Sequence, residues 1–389
     1  MTPKERWLAA LDMKPVDRLP FWPKLFPDYV RAQAATFQGM SLDAIHDWVG
    51  SDKHAYTGSC VRTRHTACSL EVETKDHERR EVFRTPSGSL ERLSRFDEDS
   101  QSWHPVKMPV QSAADIPIMA EWYKDAAAEL DREALAKRTE ERARIGEGAV
   151  VATYIGRSPL MNWLEYIAGV ENGHYLLVDR RGEVEELFAV MHRQLARRTE
   201  VATQYDPADL FYLPEDTSTT LISPEQFRTY CLRHISEYAG IARSGSRRLC
   251  LHMCGHLREI LPDLATLPVS AFEAFSSPPV GNARLLDGRT HCPNVCLVGG
   301  TNATLWLRSC ADIVAELERD LDALPHHRGI VVTSGGVMPP AAKPDTIRAV
   351  CEWVRRYPAR MTTEKRPDVR TLTPPSPTGR RVPTAGGRG

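Results

Sequence analysis

One stretch of the chain reads Leu249-Cys250-Leu251-His252-Met253-Cys254-Gly255-His256. An apolar run ends there in a His-x-Cys-x-His cluster, and an apolar helical repeat follows it. The pattern predicts a strand that ends at His252 and Cys254, where parallel α/β proteins carry their active sites. Imidazole and thiolate together suit Zn²⁺, so the stretch predicts a zinc site. A buried cysteine beside a core histidine is the alternative interpretation.

The composition is that of an ordinary globular protein. The 389 residues are 42% hydrophobic and 26% charged, with a net charge of -1. This balance gives no bias toward nucleic acid, and no apolar run approaches the roughly 20 residues of a membrane span. The amino terminus lacks a signal-peptide pattern, so we expect a cytoplasmic protein with no nucleic-acid or membrane partner. Nine scattered cysteines indicate reduced thiols.

Short apolar runs alternate with helical repeats along most of the chain. Each run ends in polar residues or glycine, which is typical of a parallel sheet with right-handed crossovers. With one strand hidden near residues 54–60, the count of about eight predicts a (β/α)₈ TIM barrel. An open doubly wound sheet is the rival, but the chain shows no glycine-rich dinucleotide fingerprint. The runs lie near residues 17–22, 150–154, 209–213, 249–252, 269–272, 295–298 and 330–332.

Two segments differ from this alternation of strands and helices. Residues 70–106 alternate polar and apolar side chains around a Pro-Ser-Gly turn, which predicts a β-hairpin insertion near the N-terminus. The insertion is either a solvated surface flap or a lid over the site. Residues 365–389 are rich in Pro, Gly, Thr and Arg without periodicity, which predicts a disordered tail after a barrel spanning residues 1–364.

Polar residues at other strand ends are candidates for chemistry. Glu215 and Asp216 follow one strand and form a candidate acid–base pair, with capping of the next turn as the alternative. Tyr154 is a further catalytic candidate. Arg157 is suited to bind a carboxylate or phosphate with two parallel hydrogen bonds.

Two more strand ends carry candidate substrate-binding residues. Asn302 follows a Gly-Gly-Thr stretch and has an amide that can hydrogen-bond to substrate, and Lys24 lies just beyond the first strand. Both positions lie at the end of the predicted barrel where substrates bind.

Several motifs resemble those of the uroporphyrinogen decarboxylase superfamily. They lie at residues 2–6 with 15–20, at 222–227 and at 339–350. The run from His252 to Gly255 resembles the zinc motif of the methyltransferase branch, which includes the methylcobalamin:coenzyme M methyltransferases. The resemblance covers roughly residues 1–357.

The resemblance implies a barrel whose site lies at the carboxyl-end mouth. It implies a zinc ion, held by His and Cys, that binds a substrate thiol as a nucleophilic thiolate. That thiolate attacks a methyl group on a corrinoid (methylcobalamin), usually on a separate carrier protein. The resemblance therefore implies a corrinoid carrier protein as a partner, and it allows a homodimer.

One position departs from the methyltransferase pattern. Relatives have a third cysteine ligand in the loop after the last strand, and Gly336 stands at that place here. Glu273, at the end of the strand after His252, is our preferred third metal ligand, with a salt bridge in the barrel mouth as the alternative role. His256 is the second candidate, and it otherwise caps a helix or lies on the surface.

Three functions follow from these observations. The leading hypothesis is a zinc-dependent methyltransferase that moves a methyl group between a corrinoid and a thiol or other small acceptor. The second is a metal-free carboxy-lyase, but the first strand region from Phe21 to Phe26 lacks the arginine of the decarboxylase signature. The third is a non-catalytic binding barrel. This hypothesis remains because Gly336 stands where relatives have a ligand cysteine.

Overall fold

The computed structural model describes residues 1–100 and 102–362. The tail predicted at residues 365–389 lies outside the described residues. The strands are β1 (Phe21–Trp22), β2 (Lys53–Thr57), β3 (Val61–Arg64), β4 (Ser69–Lys75), β5 (Glu78–Thr85), β6 (Gly88–Asp97), β7 (Ser102–Lys107), β8 (Ala127–Leu130), β9 (Ala149–Tyr154), β10 (Leu210–Pro214), β11 (Arg248–His252), β12 (Ala271–Phe275), β13 (Cys296–Gly300) and β14 (Ile330–Thr333).

Helices follow most of the barrel strands. They are α1 (Pro3–Leu11), α2 (Pro27–Arg31), α3 (Ala35–Gln38), α4 (Leu42–Val49), α5 (Asp115–Asp125), α6 (Arg132–Ile145), α7 (Pro159–Asn162), α8 (Val170–Asp179), α9 (Arg181–Tyr205), α10 (Pro224–Gln226), α11 (Arg233–Ser244), α12 (Leu261–Leu264), α13 (Leu285–His291), α14 (Cys310–Asp322) and α15 (Pro344–Arg356). Two π-helical turns, Trp163–Ile167 and Phe227–Leu232, and two 3₁₀ turns, Arg258–Ile260 and Ala303–Leu307, complete the set.

Eight strands form one parallel sheet in the order β1, β14, β13, β12, β11, β10, β9, β2. The sheet curls until its two edges meet, and the backbone N–H of Asp52, just before β2, donates to the carbonyl of Phe21 in β1 at 2.8 Å. The predicted (β/α)₈ TIM barrel is therefore confirmed. The strand hidden near residues 54–60 is β2, and the first strand is shorter than predicted.

Helix α1 lies across the amino-terminal end of the barrel. The N–H of Lys4 donates to the carbonyl of Glu147, just before β9, and Arg248 at the start of β11 pairs with Asp12 at 2.7 Å. Trp7 belongs to a buried cluster that includes residues from seven of the barrel strands, and this cluster seals the amino-terminal end. The carboxyl end is therefore the open mouth of the barrel.

The segment predicted as a hairpin forms a larger sheet. Strands β4, β5, β6 and β7 pair antiparallel in sequence order, so the segment has four strands where a hairpin has two. Val82 and Leu90 are buried, while every residue of β4 is exposed. A separate antiparallel pair joins β3 to β8. In the part of the chain that the structure describes, no helix has both the length and the hydropathy of a membrane span.

Candidate metal centre at the barrel mouth

Parallel pairing brings the predicted ligands to one edge of the barrel. His252 ends β11, where it is the register partner of Pro214 in β10 and of Glu273 in β12. Cys254 lies two residues beyond His252, and Asp216 lies two residues beyond Pro214. The carboxyl ends of three neighbouring strands thus converge on His252.

Three different donor atoms face one another at this edge. The Sγ of Cys254 lies 3.1 Å from Nε2 of His252, and Oδ1 of Asp216 lies 3.3 Å from the same nitrogen. The three ligand atoms all lie within 4.8 Å of one another, and each residue is half-buried. One nitrogen, one sulfur and one oxygen with open space beside them fit a zinc site that keeps a position for substrate.

The other ring nitrogen of His252 is held from inside the barrel. Glu273 is buried and contacts Nδ1 of His252 through Oε2, and its Oε1 accepts a hydrogen bond from Lys24 Nζ at 2.8 Å. The hydroxyl of Tyr212 also donates to Oε2. Burial alone would raise the pKa of Glu273, but Lys24 and His252 lower it below its usual range. The anionic carboxylate fixes which nitrogen of His252 faces the mouth.

This arrangement bears on the choice of third ligand. Both oxygens of Glu273 are engaged by His252, Lys24 and Tyr212, on the side of the imidazole away from Cys254. The group of potential metal ligands that contains His252 also contains Asp216 and Cys254, and neither Glu273 nor His256 belongs to it. The geometry therefore favours Asp216 as the third ligand and a positioning role for Glu273.

A cavity of about 440 Å³ opens in front of the three donors. Six of the nine predicted site residues line it, and Gly336 lines it as well. The predicted residues that line the cavity are Lys24, Tyr154, Arg157, Asp216, His252 and Cys254. The loop position where relatives carry a cysteine thus faces the same space as the other ligands.

Two of the remaining predicted residues are buried in the loops around the cavity. Glu215 accepts hydrogen bonds from the backbone N–H and the hydroxyl of Ser158, and burial raises its pKa to about 8. Asn302 caps the Ala303–Leu307 turn by accepting from the N–H of Leu305 at 3.0 Å, and its amide donates to Ser277 at 3.0 Å. Neither residue lines the cavity. Both residues instead hold the loops at the barrel mouth in place through their hydrogen bonds.

Aromatic rings form one wall of the cavity. Tyr154 stacks on Tyr56 at 4.8 Å between ring centroids and meets Tyr212 edge-on at 5.2 Å. Beside them, Arg157 donates from Nε to Glu165 at 3.0 Å and lies over the ring of Tyr166. Tyr212 and Tyr56 were not among the predicted site residues. In the sequence these two tyrosines are marked only by an inward-facing position on a strand, and tyrosines of an ordinary core occupy the same kind of position.

Comparison with known proteins agrees with this architecture. A family model described as uroporphyrinogen decarboxylase (URO-D) matches residues 164–357. A methyltransferase from Methanosarcina mazei is similar in structure, with a TM-score of 0.56 and 17% identity over 91% of this chain and 98% of that one. No curated protein sequence matches the chain.

The chain also has a weaker structural similarity to a putative vitamin-B12 independent methionine synthase from Listeria monocytogenes. Its TM-score is 0.38 at 16% identity, over 57% of this chain and 68% of that one, which is too low to bear on the fold. The family model therefore assigns residues 164–357 of the barrel to the uroporphyrinogen decarboxylase family.

Proposed function

We propose that this protein is a zinc-dependent methyltransferase that moves a methyl group between a corrinoid and a thiol or another small acceptor. The observation that carries the proposal is the convergence of Asp216, His252 and Cys254 at the barrel mouth. The fold shared with a methyltransferase supports the reaction class. Among the described residues that line the cavity, three of the four side-chain types that bind zinc in proteins are thus present together.

Asp216, His252 and Cys254 would hold the zinc ion. A bound zinc ion would supply a Lewis acid that keeps a substrate thiol in its nucleophilic thiolate form near neutral pH. Since Asp216 supplies oxygen where relatives have sulfur, less charge is donated to the metal than by a third thiolate. This donor set favours a harder acceptor than the relatives use, although a thiol still fits it.

Residues behind the centre keep His252 ready to bind. Glu273 holds Nδ1, so Nε2 stays free of a proton and points to the mouth when the metal is present. Lys24 lies 2.8 Å from Glu273 and balances its charge, which lets the carboxylate stay ionised while buried. Tyr212 completes the hydrogen bonding of the same carboxylate.

The cavity indicates the size and charge of the acceptor. Its volume of about 440 Å³ lies in the range that holds a small organic molecule. Arg157 and Lys24 give the wall positive charge, and Tyr154 gives it an aromatic face. A corrinoid together with an acceptor exceeds this space, so we propose that the corrinoid is presented at the mouth by a separate carrier protein.

The test is transfer of methyl from free methylcobalamin to a panel of small thiols, amines and alcohols, followed as loss of methylcobalamin absorbance and formation of the methylated acceptor by mass spectrometry. The Cys254→Ala variant should lose more in rate than the about 10–100-fold typical of losing a residue that only supports a ligand, because Cys254 would be a direct ligand. Cys310→Ala, which removes a half-buried thiol on α14, is the matched control and should keep full activity. Equal activity in Cys254→Ala, or no methylated product with any acceptor of the panel, would contradict the proposal.

A further inference from the structure

A second cavity lies directly beside the first. It has a volume of about 600 Å³ and lies between the carboxyl end of β9, helices α5, α7 and α9, and strands β3 and β4. Tyr154, Gly156 and Arg157 line both cavities. A ligand that extends past these three residues therefore occupies both spaces.

The charge of the second cavity is one-sided. Arg157, Arg198 and His65 line it, and among the described residues of its lining there is no aspartate or glutamate. Burial lowers the pKa of His65, so this histidine is neutral near pH 7, and Arg157 pairs with Glu165 at 3.0 Å. The charge of Arg198 remains to be balanced.

Arg198 is a half-buried cation without a direct partner. Within residues 1–100 and 102–362 its guanidinium makes no hydrogen bond and no ion pair, and it feels Asp206 only at longer range. Burial lowers the pKa of Arg198, which reflects the cost of desolvating this charge. Its neighbour Arg197 differs, since it pairs with Glu200 at 2.8 Å on the exposed face of α9.

Gln194 adds a second set of polar atoms at the same place. It lies one turn before Arg198 on α9, so both side chains share the face of the helix that lines the cavity. The described structure gives its side-chain amide no hydrogen bond. A guanidinium and an amide without partners, side by side, match the oxygens of a carboxylate or similar oxyanion.

Most of the rest of the lining is apolar or aromatic, and Thr63, Ser69 and Asn162 are its other polar residues. Trp122, Ile155, Met191 and Leu195 are buried and line the cavity with Tyr123. Such a wall favours a ligand with an apolar body. The lining thus combines an apolar region, which can hold the body of a ligand, with one unpaired cation, Arg198, at the end of the cavity that α9 forms.

We propose that the second cavity binds an organic anion, with its apolar body against Trp122 and Leu195 and its oxyanion on Arg198 and Gln194. Because the two cavities share a wall, this anion is the distal part of the methyl acceptor or donor. That last step rests on the proposed function, whereas binding of the anion does not.

The experiment is calorimetric titration of the full-length protein with aryl-alkanoates of one to four methylenes, from phenylacetate to 5-phenylpentanoate. The matched neutral probes are the corresponding alcohols, and inorganic phosphate tests for a site that takes any anion. Arg198→Met and Gln194→Leu remove the two donors. Arg193→Met, which changes an exposed arginine on the same helix, is the control.

At least one aryl-alkanoate should bind, about tenfold or more weakly to Arg198→Met and unchanged to Arg193→Met, which is the size of effect expected for a charge-assisted hydrogen bond. The alcohols should bind weakly and equally to all variants. Arg198→Met should unfold at the same or a higher urea concentration than the wild type, because it removes an unpaired, partly desolvated charge. A structural role for Arg198 would give the opposite shift.

Several outcomes would overturn the inference. They are no binding by any aryl-alkanoate, equal binding to Arg198→Met, and binding of phosphate alone. Should Arg198→Met fail to fold, Gln194→Leu decides, with unchanged affinity counting against the site. Loss of aryl-alkanoate binding in Arg198→Met, with zinc content and Cys254-dependent activity absent, would retain this site and refute only the proposed function.

Discussion

Glu273 contacts His252 at Nδ1, on the side of the imidazole ring opposite to Cys254. The two residues are register partners on neighbouring parallel strands, so their side chains lie side by side inside the barrel. This relationship separates two roles that the sequence alone had merged. Glu273 orients the imidazole, and the ring then presents Nε2 to Asp216 and Cys254.

Replacing Glu273 by Gln should weaken zinc binding without removing the site. Loss of a carboxylate behind a metal-bound histidine costs about 10–100-fold in affinity. We expect the variant to bind about one zinc per chain at saturation, with affinity measured by competition against a chromogenic chelator. Glu259→Gln, a change near the rim, is the control. A loss as complete as that of Cys254→Ala would make Glu273 a direct ligand.

Gly336→Cys should add a thiolate to the centre. A side chain at Gly336 meets only the Cβ of Ala303 at 3.7 Å, which is an ordinary contact. The variant should fold and bind zinc at least about tenfold more tightly, because thiolate is a strong zinc ligand. Gly335→Cys is the contrasting variant, since Gly335 has φ of +75° and a Cβ there would lie 2.3 Å from the carbonyl oxygen of Thr301. Equal chelator competition by Gly336→Cys and wild type would refute this geometry.

The stability that two buried neutral histidines contribute should fall as the pH is lowered from 7 to 5. Burial lowers the pKa of His54 to about 3 and of His46 to about 4, below the value of about 6.5 in an unfolded chain. Below pH 6.5 the unfolded state therefore binds protons that the folded state does not bind. The stability that the two neutral histidines contribute is fully present above pH 6.5 and is lost as the pH falls below it. Each histidine should cost about 2 kcal/mol at pH 5.

Urea unfolding at pH 7 and pH 5 measures this effect. His54 stacks on Trp22 with ring centroids 4.4 Å apart, so His54→Phe keeps an aromatic ring there and removes the proton site. The variant should lose less stability between the two pH values than the wild type. The same change in the free energy of unfolding between pH 7 and pH 5 in His54→Phe and in the wild type would contradict the prediction.

Asp52 should be essential for closing the barrel. It is fully buried, accepts hydrogen bonds from Arg6, from Arg18 at 2.7 Å and from the N–H of Phe21 at 3.0 Å, and lies where β1 meets β2. Asp52→Ala leaves two cations facing each other, and we expect a loss of about 3–5 kcal/mol in urea unfolding. Asp17→Ala, which removes a partly exposed partner of Arg6, should cost only about 0–1 kcal/mol. Equal costs would refute the role of Asp52.

Much of the fold follows from local pattern. The runs before Gly156, Glu215 and Gly255 mark strand ends, because apolar residues fill a buried parallel strand and polar residues follow at its carboxyl end. The first strand and the insertion were predicted less well. Only two residues of β1 pair in the barrel, and the insertion has three turns, of which one carries a Pro-Ser-Gly signature.

The site needed the three-dimensional structure for its assignments. His252 and Cys254 share a short motif, whereas the choice between Glu273 and Asp216 depends on which side of the imidazole each carboxylate reaches. Arg198 carries no sequence signal at all, since one arginine on a charged helix is usually solvated. Its surroundings arise from the packing of α9 against α5 and β8, which no local pattern encodes.

The zinc content of the purified protein tests the central claim most directly. Elemental analysis after expression with added zinc should find about one zinc per chain in the wild type and in Cys310→Ala. Cys254→Ala should contain almost none, and Asp216→Asn should lose its zinc to a chelator that leaves the wild type loaded. A wild-type protein without zinc, or a Cys254→Ala variant with the wild-type zinc content and affinity, would contradict the account.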